Sequence, residues 1–231
     1  MMPSPVFGAV FRDEAGQPVT PEGGSLGRIH TVDLAGLPDR STTEIVIASD
    51  VQNPLTGPDG AAAVYGPQKG ADPDQVVALD AGLTHLVDRL VACGHPTARQ
   101  LAVTAGAGAA GGLGFAGLLL GGHAVSGADF FLDLLDFDKH LQGCDLVITG
   151  EGRMDDQTLH GKLPAIVAQR AGQVPVIAVV GRSDISPATL HLMGLQAVYG
   201  IVELTDRNPA RDPALTKSLL EQLGRRIPLP R

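Results

Sequence analysis

The chain has 231 residues, with 17 Lys and Arg against 25 Asp and Glu, a formal charge of −8, 44% apolar residues, 3% aromatics and no Trp. This is a globular composition whose cores must come from Val, Leu, Ile and Ala. Scattered basic residues and the lack of aromatic stacking platforms argue against a nucleic-acid partner.

The opening residues lack the basic n-region of a signal peptide. The longest apolar run, Gly111 to Val125, is Gly-rich and interrupted by His123, too short and irregular for a bilayer span. No membrane role is expected, and the expected location is cytoplasmic. Cys93 and Cys144 lie far apart without CxxC spacing and read as reduced thiols.

Residues 6–47 read as short extended segments divided by turns at Asp13–Gly16 and Pro21–Gly24. Glu44–Ala48 is the better strand and delivers Asp50 to its C-terminal end. Asp72-Pro73 opens a helix, and Val76, Leu79, Leu83, Leu86, Val87 and Leu90 give it one buried stripe before Gly94. Leu101–Thr104 reads as a second strand-like piece leading into a Gly-rich turn and an apolar segment near Leu113–Leu120. One further helix is expected over Ala128–Leu141.

Three continuous apolar runs then follow: Leu146–Thr149, Pro175–Val180 and Ala197–Val202. Helical stretches at Leu163–Ala171, Pro187–Met193 and Pro213–Arg225 alternate with them. That alternation predicts an α/β fold with a parallel sheet covered on both faces. The change of texture places a domain boundary near residue 143. Three strands leave two edges, which invite a partner.

Three segments could carry chemistry. Thr149–Lys162 is expected to leave the C-terminal end of a buried strand and enter a helix, where open α/β sheets bind ligands. Gly150 and Gly152 would allow close backbone approach, and Arg153 and Lys162 would neutralise phosphate oxygens. Asp155 or Asp156 would hold magnesium or accept a proton. An ordinary polar loop is the alternative.

The second segment, Asp50–Gly60 with Val64–Gly70, sets Asp50, Asn53 and Lys69 in turns fixed by Pro54, Pro58 and Pro67. It reads either as a preorganised binding loop or as plain turn chemistry. In the third, Gly106, Gly108 and Gly111 form a GxGxxG. A dinucleotide site would need an acid closing the next strand, and Asp129 instead opens a helical pattern. Cradling of an anion by backbone amides, or close packing, remains for these glycines.

Together, DVQNPLTGPDGAAAVYGPQKGADP at 50–73, GAGAAGGLG at 106–114 and DLVITGEGRMDDQTLHGK at 145–162 resemble, in that order, the class I glycerate kinase family. The similarity runs from about Ala9 to near the C-terminus. It implies ATP-dependent phosphorylation of D-glycerate, with 2-phosphoglycerate as the typical product and Mg2+ as the metal. It also implies a Rossmann- or flavodoxin-like α/β domain interrupted by an inserted α/β domain, with the active site in the cleft between them. On that pattern residues 1–143 would be most of the inserted domain, and 144–231 the C-terminal half of the split one.

The family's DSFKES-like first loop and GGSATNDGG-like glycine loop do not occur in this sequence. The resemblance therefore implies a complementing N-terminal segment, or a homo-oligomer, for full activity. A non-catalytic remnant that keeps a binding cleft is the alternative function. Within these segments Arg153, Lys162, Asp155 and Asp50 are the catalytic candidates. Asn53, Lys69, Gly106, Gly108, Gly111, Gly150, Gly152, Gln157 and Thr158 are the binding candidates, and Asp155 and Glu151 the magnesium candidates.

Overall fold

The computed structural model describes residues 8–37, 42–155, 158 and 162–228. It divides into two compact units, Met1–Val125 and Ser126–Arg231. Among the described residues, no helix is long and apolar enough to cross a membrane.

In the first unit, β1 (Val10–Arg12) pairs antiparallel with β2 (Thr31–Asp33), and β3 (Val46–Ala48) pairs parallel with β4 (His123–Val125). Between β3 and β4 lie α1 (Ala61–Tyr65), α2 (Pro73–Ala92), α3 (Ala98–Ala102) and α4 (Leu113–Leu119). The long helix α2 starts where the sequence says it should. The Gln75 N–H donates to Asp72 Oδ1 at 2.8 Å, and the Asp72 N–H donates to Gln75 Oε1 at 3.0 Å. This reciprocal capping satisfies two amide donors that a helix start would otherwise leave open. Val87 and Leu90 of α2 are buried against Leu26, Ile29, Leu55, Ala98 and Phe115.

Leu101–Thr104 is not a strand. It forms the end of α3 and the turn after it, with the Thr104 hydroxyl donating to the Gln100 carbonyl at 3.1 Å. The run is too short for periodicity to separate strand from helix, and local helical hydrogen bonds decide it.

The second unit opens with α5 (Gly127–Leu134) and α6 (Phe137–His140). The single helix expected over 128–141 is broken at Asp136, which takes φ 52°. Asp is among the few side chains that enter this left-handed region readily. Leu132 is buried in the second unit's core, and Phe137 and Leu141 pack on it. The packing therefore divides the chain at 125/126, earlier than the change of texture near 143.

After these come β5 (Val147–Met154), α7 (Leu163–Ala171), β6 (Val176–Ser183), α8 (Pro187–Leu192), β7 (Ala197–Gly200) and α9 (Pro213–Gly224). The strands form an all-parallel sheet in the order β5-β6-β7. Val176, Ala178 and Val180 pack with α7 residues Val167, Ala168 and Ala171. On the opposite face Val179 and Tyr199 meet Ile201, Leu219 and Leu223. Alternate residues of β6 thus serve two cores, which is why its sequence reads as an unbroken apolar run. On the edge strand β5, Ile148 is 54% exposed.

Candidate functional site

The 149–162 segment is not a loop from its start. Pairing with β6 carries β5 through Gly150, Glu151 and Arg153 to Met154, so the chain turns only at Asp155. Gly150 fits this extension, because a Cβ there would stand 2.3 Å from the Val179 carbonyl oxygen. Its role is close strand packing. A Cβ on Gly152 would meet nothing within 4 Å.

Just past β5, Thr158 is buried to 0% exposure and organises the turn. Its Oγ1 donates to Glu151 Oε1 at 2.8 Å and accepts from the Asp155 N–H at 3.2 Å. The Thr158 N–H in turn donates to the Asp155 carbonyl at 2.9 Å. Lys162, the residue that caps the start of α7, places its Nζ 3.3 Å from Asp155 Oδ1. The result is one chain of contacts, Glu151–Thr158–Asp155–Lys162, at the C-terminal end of a parallel strand and the N-terminus of a helix. Both are places that favour anions and ligands. Asp156 and Gln157 lie outside the described residues.

The carboxylates of Glu151 and Asp155 are hard oxygen donors of the kind Mg2+ takes. Magnesium commonly binds through one or two carboxylates, with phosphate oxygens and water completing its octahedron. Among the described residues no group of three or more His, Cys, Asp or Glu could hold a metal ion unaided. A metal held by these two carboxylates would need phosphate oxygens and water to complete its coordination.

Arg153, one of the phosphate-neutralising candidates, is paired with an acid beyond its own segment. Its Nε donates to Asp184 Oδ2 at 2.9 Å and its Nη2 lies 2.8 Å from the same oxygen. Arg182, its register partner on β6, donates from Nε to Asp184 Oδ1 at 2.7 Å. The Arg182 hydrogen bond is the largest cause holding the Asp184 carboxyl below its ordinary pKa; burial opposes it, and the Arg153 hydrogen bond adds to the lowering. Sequence reasoning passed over Arg182 and Asp184. The available signal was Gly181-Arg182-Ser183-Asp184, a charged tail on an apolar strand like the one on β5.

The first unit holds the remaining candidates. Asn53 is spent on the local fold, its Nδ2 donating to the Asp59 carbonyl at 2.8 Å and its Oδ1 accepting from the Tyr65 hydroxyl at 2.7 Å. Lys69 ends a 3-10 turn, Pro67–Lys69, closed by Gly70 at φ 93°. It lines a mainly apolar cavity of about 390 Å³ whose walls include Leu26, Leu55, Leu83 and Phe115. Asp50 is exposed two residues beyond β3.

Of the GxGxxG glycines, Gly108 lies in close backbone packing, while Gly106 and Gly111 take positive φ. The Gly108 N–H donates to the Asn53 carbonyl at 2.9 Å and the Gly111 N–H to the Gly108 carbonyl at 3.1 Å, so neither amide is open to a ligand. A Cβ on Gly108 would sit 2.3 Å from the Pro54 carbonyl oxygen, and Gly106 takes φ 87°. Since α3 precedes the motif, it also lacks the strand that a dinucleotide fingerprint requires.

The chain is similar to known proteins over nearly its whole length. The sequence profile of the glycerate kinase family matches residues 5–228. The chain is 42% identical over 200 residues to the glycerate kinase of Bacillus subtilis (strain 168), covering 85% of this chain and 52% of that protein. To the glycerate 2-kinase of Escherichia coli (strain K12) it is 37% identical over 200 residues, with the same coverage of 85% and 52%. A crystal structure from Salmonella typhimurium LT2, provisionally assigned as a glycerate kinase 2, superposes with a TM-score of 0.67 at 37% identity. That match covers 92% of this chain and 55% of the Salmonella chain. The chain thus spans about half the length of the curated relatives it matches. A profile match over nearly the whole sequence, joined to an α/β fold shared with a solved relative, shows that the chain belongs to the glycerate kinase family.

Proposed function

We propose that the chain works in ATP-dependent phosphorylation of D-glycerate, giving 2-phosphoglycerate in the cytoplasm. The observation that carries this reading is the contact chain Glu151–Thr158–Asp155–Lys162 at the C-terminal end of β5, in a member of this family. The name of the Escherichia coli relative, glycerate 2-kinase, supports the position phosphorylated. On this reading the three-stranded parallel sheet belongs to the family's Rossmann- or flavodoxin-like domain, and the first unit to its inserted one. A complementing segment or a second copy of the chain would complete the enzyme.

Phosphoryl transfer rests mainly on positioning and charge neutralisation. Lys162 meets the charge of the transferring phosphoryl group, and its ion pair with Asp155 holds the ammonium in place beforehand. Asp155 orients the glycerate hydroxyl and accepts its proton. Thr158 fixes the Asp155 backbone and the Glu151 carboxylate. Alternatively Asp155, with Glu151, would hold Mg2+, which when bound would neutralise phosphate oxygens, leaving the base to another group. On the first unit, Asp50 is a competing candidate for the base and Lys69 for an anion contact.

The 231-residue protein, completed by a second copy or by the complementing segment and supplied with ATP, Mg2+ and D-glycerate, should yield phosphoglycerate detectable by phosphorus NMR. Lys162→Ala should lower kcat/KM on the order of a thousandfold, as loss of a phosphate-neutralising cation does in other phosphotransferases. A folded protein that forms no phosphoglycerate and binds neither ATP nor glycerate would overturn the reading.

A further inference from the structure

Arg153 and Arg182 hold equivalent places, each next to last in its strand and each the register partner of the other. Their guanidinium groups bind the two oxygens of a single carboxylate, Asp184. The Asp184 N–H, donating to the Met154 carbonyl at 2.9 Å, ties the same strand ends together through the backbone. Two cations against one anion leave an excess positive charge. It is also presented outward, because the arginine side chains are 64% and 63% exposed while Asp184 is 26% exposed.

A guanidinium carries five N–H donors, and the contacts to Asp184 use Nε and Nη2 of Arg153 and Nε of Arg182. Among the described residues, Asp184 is the sole acid either one touches. Exposed ion pairs usually contribute little to stability, so stability alone gives weak reason for this arrangement. Its location gives a better one, since open parallel sheets bind ligands at the C-terminal ends of their strands.

We infer that Arg153 and Arg182 form a twin-arginine oxyanion site, with Asp184 setting the spacing of the two guanidinium forks. The inference rests on the kinase reading above and names Arg182 as a further binding residue for it. The ligand is an oxyanion that two planar forks can hold, either a phosphate of the nucleotide or the carboxylate of glycerate.

Calorimetry on the 231-residue protein, titrated separately with ATP and with D-glycerate, distinguishes these sources. Arg182→Ala should weaken one of the two by about tenfold or more, the effect of losing a charge-assisted hydrogen bond, and leave the other near wild type. The ligand that weakens is the one the pair holds. Arg182→Lys should recover only part of the loss, because an ammonium keeps the charge without the fork. Arg207→Ala, which removes an exposed ion pair with Asp212 elsewhere in the second unit, should bind as wild type. If Arg182→Ala proves unfolded, Arg182→Lys carries the comparison. Wild-type binding of both ligands by a folded Arg182 variant overturns the twin-arginine site and leaves the kinase reading standing. A wild-type protein that binds neither ligand overturns both.

Discussion

Thr158 has more influence on the candidate site than its modest chemistry suggests. A fully buried hydroxyl must be paired, and here one oxygen serves both the Glu151 carboxylate and the Asp155 amide. Replacement by Val keeps the shape but leaves that amide without its acceptor and the carboxylate without its donor, at a cost of about 1–3 kcal/mol. Thr158→Ser keeps the hydroxyl and loses a methyl, at a cost of about 1 kcal/mol. Urea unfolding should rank the proteins wild type, Ser, Val in falling midpoint. A Val variant as stable as wild type would show that the hydroxyl is not needed. The sequence marks Thr158 only as one polar residue among several, because burial depends on how the turn folds back over β5. Arg153 and Lys162 were legible as cations near a strand end, but their partners were not equally so. Lys162 pairs with Asp155 inside its own segment, whereas Asp184 comes from the next strand, 31 positions along the chain.

At the scale of elements, the helices that proved readable carry their own start signals. Asp72, Ser186 and Asp212 each accept a hydrogen bond from the backbone N–H three residues on, with Pro at the next position. These are local signals, and a sequence displays them in full. The ends of strands are set by pairing with a neighbour, which explains why β5 runs past Thr149 to Met154. The break between α5 and α6 was hidden for a related reason. Arg170 of α7 lies within 2.6 Å of Asp133 and 2.7 Å of Asp138, 3.7 Å from Asp129, and 6.0 Å from the centre of the Phe137 ring. The hydrogen bonds that Arg170 donates to Asp138 and then to Asp133 raise the arginine's pKa above its ordinary value, so it stays charged at any working pH. Arg170→Met would leave three carboxylates on α5 and α6 facing one another without their shared cation. Amide hydrogen exchange over residues 127–140 should quicken in that variant, while exchange in α2 stays unchanged. Unaltered exchange over 127–140 would mean that apolar packing alone holds the two helices.

Among the described residues, the buried clusters share no members. One joins Val19, Leu26, Leu55, Val87, Leu90 and Phe115, while another joins Leu132, Met154, Val167, Val180 and Leu195. Glu151 lies on β5, Lys162 caps the start of α7, and Asp155 and Thr158 sit in the turn between them, all within the unit that holds the second cluster. Separate cores predict separate responses to damage, since a cavity weakens chiefly the contacts around it. Leu90→Ala removes a residue 2% exposed in the first cluster, and Leu195→Ala one 3% exposed in the second. Each should cost about 2–5 kcal/mol within its own unit. Native-state hydrogen exchange should then show α2 losing protection in Leu90→Ala while β6 keeps it, with the reverse in Leu195→Ala. Equal loss in both helix and strand for either variant would show one cooperative unit, and the site at the end of β5 would then depend on the packing of the first core as much as on its own.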